Sequence, residues 1–136
     1  MKEYKIDIEK SEKLLNDNRQ LIVQKECYDN IYRLVSNLRV SEKEVRVVFG
    51  AVYLFKGMYA KHCFLMVGDK VVDPTLMLRG EENCKKSHYI VAKKLTMEQY
   101  TELLCKCGYT DLGMYMRKYW DKVRNQLGSV GKTLVG

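Results

Sequence analysis

A tight turn between two β-prone runs leaves a chain little freedom over which side chains meet. The stretch Tyr59 to Leu76, YAKHCFLMVGDKVVDPTL, contains such a turn. Tyr59 to Val67 is rich in aromatic and β-branched residues, Gly68-Asp69 is a turn dipeptide, and Lys70 to Asp73 runs back. A two-residue loop sets Val67 against Lys70 and, stepping back along both strands, Phe64 against Asp73. Side chains alternate along a strand, so His62 and Asp73 fall on one face, one diagonal step apart, with about 7 Å or less between their backbones. An imidazole and a carboxylate hydrogen-bond across such a gap. A register slip of one residue would put them on opposite faces. Pro74 has no backbone donor and ends the pairing just past Asp73.

A histidine oriented by an aspartate is half of a nucleophilic site, because the carboxylate fixes the tautomer and stabilises the imidazolium. The other half is a Ser, Cys or Thr held near the ring. Cys27 to Leu38, CYDNIYRLVSNL, is the clearest helix in the first half. Cys27, Ile31, Leu34, Val35 and Leu38 follow helical spacing and form one apolar stripe. Cys27 then lies on the buried face, in the first turn, where unpaired amides and the helix dipole favour an anion. By itself a cysteine on an apolar helix face is an ordinary small core residue. The His62–Asp73 pair downstream is what makes it a candidate nucleophile.

Around these elements the pattern predicts a helix over Glu9 to Asp17 with Leu14 and Leu15 inward. A loop from Asn18 to Glu26 follows, and then a central strand over Val45 to Phe55. Gly50 suggests a bulge or bend there, and Gly57 a turn into the hairpin. Met77 to Ser87 is polar and reads as a surface loop. His88 to Lys94 reads as another strand. Thr96-Met97-Glu98-Gln99 is a capping box opening a helix to about Cys107, with Gly108 as its stop. Thr110 or Asp111 caps a last helix to about Leu127. Leu112, Tyr115, Tyr119, Val123 and Leu127 form its inward stripe, flanked by Met116 and Trp120. The expectation is one domain, 1–136: an N-terminal helix and loop (1–26), the core carrying the chemistry (27–76), a strand and two helices (77–127) and a loose tail (128–136).

With 46% apolar residues the chain has enough material for a core without disulfide staples. Five cysteines is an odd number without framework spacing, and the charged start MKEYKIDIEKSEK has no apolar signal region; a reducing, cytoplasmic setting fits. No apolar run reaches the ~18 residues of a membrane span. The formal charge is +7, from 24 basic and 17 acidic residues, with some concentration at Arg117, Lys118, Lys122, Arg124 and Lys132. No nucleic-acid motif accompanies that charge, so a solvated surface is the simpler reading.

A cysteine opening a helix, a strand with KHCF and a returning GDKVVDPT together resemble the papain-like and transglutaminase-like cysteine hydrolases. More narrowly they resemble small bacterial and phage proteins of that fold. The resemblance covers Cys27 to Leu76. It implies an α+β fold in which a Cys-bearing helix packs on a small antiparallel sheet, to which the periodic pattern adds two C-terminal helices. It further implies Cys27 as nucleophile, His62 as general base and acid, and Asp73 as orienting residue, acting on a protein or peptide without cofactor or metal. Two positions depart from the family: Phe64 stands where Trp is common, and Leu21 where papain-type enzymes have an oxyanion Gln. Gln24 and Gln20 are the nearby side-chain amides that could serve instead, with the Cys27 backbone amide as second donor.

Two other readings compete. The first is a silent binding or host-interaction module of the same fold, using its basic surface toward an acidic protein or nucleic acid. The second is a zinc site from Cys84, His88, Cys105 and Cys107; Cys84 and His88 have usable spacing, but residues 105 and 107 point apart on a helix. Cys63 falls on the strand face opposite His62 and reads as core. His88, without a carboxylate at useful spacing, reads as structural or exposed.

Overall fold

The computed structural model describes residues 1–40, 43–108 and 112–136. It is an α+β fold in which helices cover one face of a curled sheet. Helix α1 (Ile8–Asp17) starts where the Asp7 carboxylate accepts the Lys10 amide at 3.0 Å. A single 3₁₀ turn at Arg19–Leu21 interrupts the expected loop and leads to α2 (Cys27–Ser36). Ile31 and Leu34 of α2 are fully buried. The helix stops two residues before Leu38, because Leu38 adopts φ +53° and the Arg39 amide turns back to the Leu34 carbonyl. This is a Schellman stop with leucine where glycine is usual. Leu38, expected on the inward stripe, is 80% exposed.

The sheet runs β3 (Lys70–Val72), β2 (Met58–Val67), β1 (Val45–Phe55), β4 (Tyr89–Thr96), all antiparallel neighbours. The β1–β4 register shifts between Phe49 and Gly50. A Cβ on Gly50 would meet the Ile90 carbonyl oxygen at 2.1 Å, so only glycine permits this approach. Alternation along β1 and β2 divides the core. Val47, Phe49, Ala51, Cys63 and Leu65 pack under the helices, while Val48, Val52, Phe64 and Met66 join Val71 and Tyr89 on the other face. Residues 4–7 close over that second face. Tyr4 exchanges backbone hydrogen bonds with Tyr89 at one sheet edge, and Lys5 and Asp7 bond Val71 at the other.

The second half departs from expectation in three places. Residues 77–87 are not an open loop, since α3 (Pro74–Met77) and α4 (Glu81–Lys86) occupy this region and Cys84 is fully buried. Helix α5 (Met97–Cys107) has the predicted Thr96/Gln99 capping box and ends at Gly108. The cap expected at Thr110 or Asp111 lies outside the described residues. Helix α6 (Leu112–Gly128) buries Leu112, Met116, Trp120, Val123 and Leu127, while Tyr115 and Tyr119 flank the stripe. The stripe is rotated because Met116 and Trp120, the bulkiest apolar side chains available, take the core side. The expected loose tail instead forms β5 (Thr133–Val135), parallel to β2, with Leu134 buried. Among the described residues, no helix is long and apolar enough to cross a membrane.

Candidate active site

The site begins with β2, whose neighbours on one side are split: β3 pairs residues 65–67 and β5 pairs residues 58–60. His62 lies between the two. The residue is 8% exposed, and its ring stacks on Phe64 with 5.9 Å between centroids and 23° between planes. Val67 does face Lys70, as a two-residue loop requires, and the ladder closes at Leu65 with Val72. Asp73 therefore leaves the strand one residue sooner than expected and becomes the N-cap of α3.

The Asp-Pro-Thr sequence makes sense in that position. Asp73 Oδ1 accepts the Leu76 amide at 3.0 Å and so caps the helix. Pro74 takes the first helical turn, where a missing donor costs nothing. Oδ2 remains free to face the sheet, and there it accepts the His62 Nε2–H at 2.7 Å and the Tyr89 hydroxyl at 2.7 Å. The Asp73 backbone amide donates to Ser11 Oγ at 3.0 Å. A carboxylate that is fully buried is thus completely satisfied.

Thr75 ties this corner to the helix bearing the cysteine. Its hydroxyl accepts the Asn30 side-chain amide at 2.9 Å, and Asn30 also bonds both the Val23 amide (2.9 Å) and the Val23 carbonyl (2.8 Å). The turn entering Cys27 is therefore fixed to the Asp-Pro-Thr segment through one buried asparagine. Cys27 is the first residue of α2 and half-buried. It lines a cleft of about 290 Å³ together with Gln24, His62 and Thr75.

The electrostatics follow from these contacts. Burial disfavours the His62 imidazolium, but the Asp73 charge, the Asp73 hydrogen bond and the Cys27 side chain outweigh it and push its pKa up to about 10. Burial likewise opposes the Asp73 carboxylate, yet His62, the Leu76 amide and the Tyr89 hydroxyl prevail and hold its pKa below the usual value. The Cys63 thiol is driven up, first by burial, and lies on the opposite face in the helix-side core. With Nε2 committed to Asp73, Nδ1 is the ring nitrogen left for the thiol.

The structure thus brings together Cys27, His62 and Asp73, and places Gln24 on the same cleft. Gln20 sits on the 3₁₀ turn, exposed and outside the cleft lining, because that turn directs it to solvent. Ser11, Asn30 and Tyr89 were missed from the sequence. Asn30 alone carried a signal, a polar residue on the inward side of an apolar helix. The zinc cluster does not assemble: Cys84 packs with its sulfur 4.0 Å from that of Met77, Cys105 is exposed, and His88 stacks on Tyr53 and bonds Glu3 at 2.7 Å. Among the described residues, no group of three metal-ligating side chains occurs. The carboxylate partner of His88 comes from residue 3, a distance no local pattern could bridge.

A second depression adjoins Cys27 on its other side. Tyr28, Phe49, Leu112, Met116 and Trp120 give it an apolar wall, with Glu26 and Asp29 at its edge. A thiol at a helix N-terminus, a buried His–Asp pair and two adjoining depressions are the parts from which covalent thiol chemistry can be built. No family model matches this chain, and neither does any curated protein or solved structure.

Proposed function

We propose that this protein is a thiol-dependent hydrolase or acyl transferase of the papain-like or transglutaminase-like class, acting on an amide or acyl group of a protein or peptide. The observation that carries the reading is the His62–Asp73 pair, buried and hydrogen-bonded through Nε2, opening onto the cleft that Cys27 also lines. In the proposed reaction the Cys27 thiol passes its proton to His62, and the thiolate sulfur attacks a carbonyl carbon. The C–N bond breaks, His62 returns the proton to the leaving nitrogen, and a thioester remains. Water or an amine, deprotonated by His62, then attacks the thioester and releases the thiol. Asp73 holds the ring and offsets its charge throughout. The Cys27 amide and the Gln24 side chain are the donors available for the oxyanion.

The test is alkylation by iodoacetamide near neutral pH with mass-spectrometric site mapping. Labelling of Cys27 ahead of the exposed Cys105, and loss of that preference in His62→Ala, is the expected result. Labelling that simply follows exposure would end the enzymatic reading. Leu21, at the usual oxyanion position, favours a second reading: a silent binding module of the same fold. Under it Cys27→Ala leaves the function intact, whereas charge reversal along α6 abolishes it.

A further inference from the structure

The cleft shared by Cys27 and His62 is lined by charged side chains of one sign only. Lys25, Lys61, Arg79 and Lys86 all line it, and its lining holds no aspartate or glutamate. They come from four separate places: the turn before α2, β2, the end of α3 and the end of α4. Among the described residues, no ion pair engages any of the four, although nearby Lys85 pairs with both Glu81 and Glu82. Asn83 and Ser87, also in the lining, are tied locally: Asn83 donates to the Arg79 carbonyl at 2.7 Å and the Ser87 hydroxyl donates to the Asn83 carbonyl at 2.9 Å. These bonds hold the α3–α4 corner that carries Arg79 and Lys86. The depression across Cys27 differs, with Glu26 and Asp29 beside Lys25. Lys61 carries its ammonium over the Trp120 ring, 5.5 Å from the centroid; with Lys25, Arg79 and Lys86 it sets four positive charges around one concavity that no carboxylate of the lining offsets, and a low-dielectric wall focuses their field inward.

Resting on the hydrolase reading above, we propose that this cleft selects substrates carrying carboxylates: peptide segments with acidic side chains placed next to the carbonyl that Cys27 attacks. A peptide fits better than a nucleic acid. Between the cations lie Val52, Leu54, Ala60 and Leu76, an apolar floor for side-chain stems, and a cleft of about 290 Å³ holds only a short segment. The carbonyl chemistry of the site also requires an acyl group.

The experiment compares two alkylating probes that differ in charge, iodoacetate and iodoacetamide, on the whole chain with site mapping at Cys27. The absolute rate reports on the thiol–imidazole pair and hence on the hydrolase reading. The ratio of the two rates, referred to the same ratio for 2-mercaptoethanol, reports on the cleft charge. It is defined whether the thiol is fast or slow. The expected ratio exceeds the reference by about tenfold at low salt and falls as salt rises. In Arg79→Glu/Lys86→Glu, whose sites are exposed, the ratio drops severalfold; Arg79→Gln/Lys86→Gln gives an intermediate value if the double reversal folds poorly. A ratio equal to the reference, or one indifferent to both variants, overturns the proposal. Protection of Cys27 by hexaglutamate at lower concentration than by hexalysine or a thymidine oligonucleotide is expected. Better protection by the oligonucleotide would overturn the peptide assignment.

Discussion

At the scale of single residues, Asp73 serves two structures at once, capping α3 with one oxygen and bonding His62 and Tyr89 with the other. The direction of the pKa shifts makes this testable. His62 is raised from an ordinary 6.5 to about 10, so its contribution to stability is fully present below pH 6.5 and is lost as pH rises through 10. Asp73 is lowered from 3.8, so its contribution is present above that value and disappears as pH falls through the lowered one. The stability difference between the native chain and Asp73→Asn is therefore greatest between about pH 4 and 6.5 and narrows toward pH 10; chemical denaturation across that range checks it. A difference independent of pH would mean that the pair is not charged. Tyr89→Phe removes one buried donor to a carboxylate and should cost about 1–2 kcal/mol in the same assay. Leu38 offers an opposite case. It is exposed and occupies the left-handed position of a helix stop, so Leu38→Gly should raise stability by about 0.5–1 kcal/mol.

At the scale of elements, the site is a junction of α2, β2 and α3: Asn30 links α2 to α3, and the His62–Asp73 bond links α3 to β2. Asn30→Ala leaves the Val23 amide and carbonyl and the Thr75 hydroxyl without their partner, for an expected loss of about 2–3 kcal/mol. A merely structural loss would leave the surviving folded molecules with normal Cys27 reactivity. If the link positions the nucleophile, the Cys27 alkylation rate of folded protein falls as well, and the mapped labelling shows which. In β1, Gly50→Ala drives a methyl into the Ile90 carbonyl and against the Phe64 ring on which His62 stacks. An overpacking cost of about 1–3 kcal/mol is expected, read from the denaturant midpoint.

At the scale of the whole molecule, both chain ends fold back onto the sheet that carries the site. Residues 4–7 join its two edges, and β5 takes the β2 edge beside His62. Removing residues 1–6 should deprotect the Val71 and Tyr89 amides, which donate to Lys5 and Tyr4, in a hydrogen-exchange measurement. Protection that survived the deletion would show that the closure adds nothing to the sheet.

What could be read from the sequence was local or periodic. The Gly68-Asp69 turn and strict alternation placed His62 and Asp73 on one face, the 3.6-residue stripe gave α2 its inward side through Leu34, and the capping box opened α5. The same rules set the strand end one residue too late, ran α2 on to Leu38 and centred the α6 stripe on its tyrosines, since turn and propensity rules do not weigh competing caps or bulk. The contacts that complete the site come from Ser11, Asn30 and Tyr89, and the cations of the cleft come from four segments far apart in the chain. Only the packed tertiary structure decides such meetings, because burial forces each polar atom to find a partner wherever the fold brings one within reach.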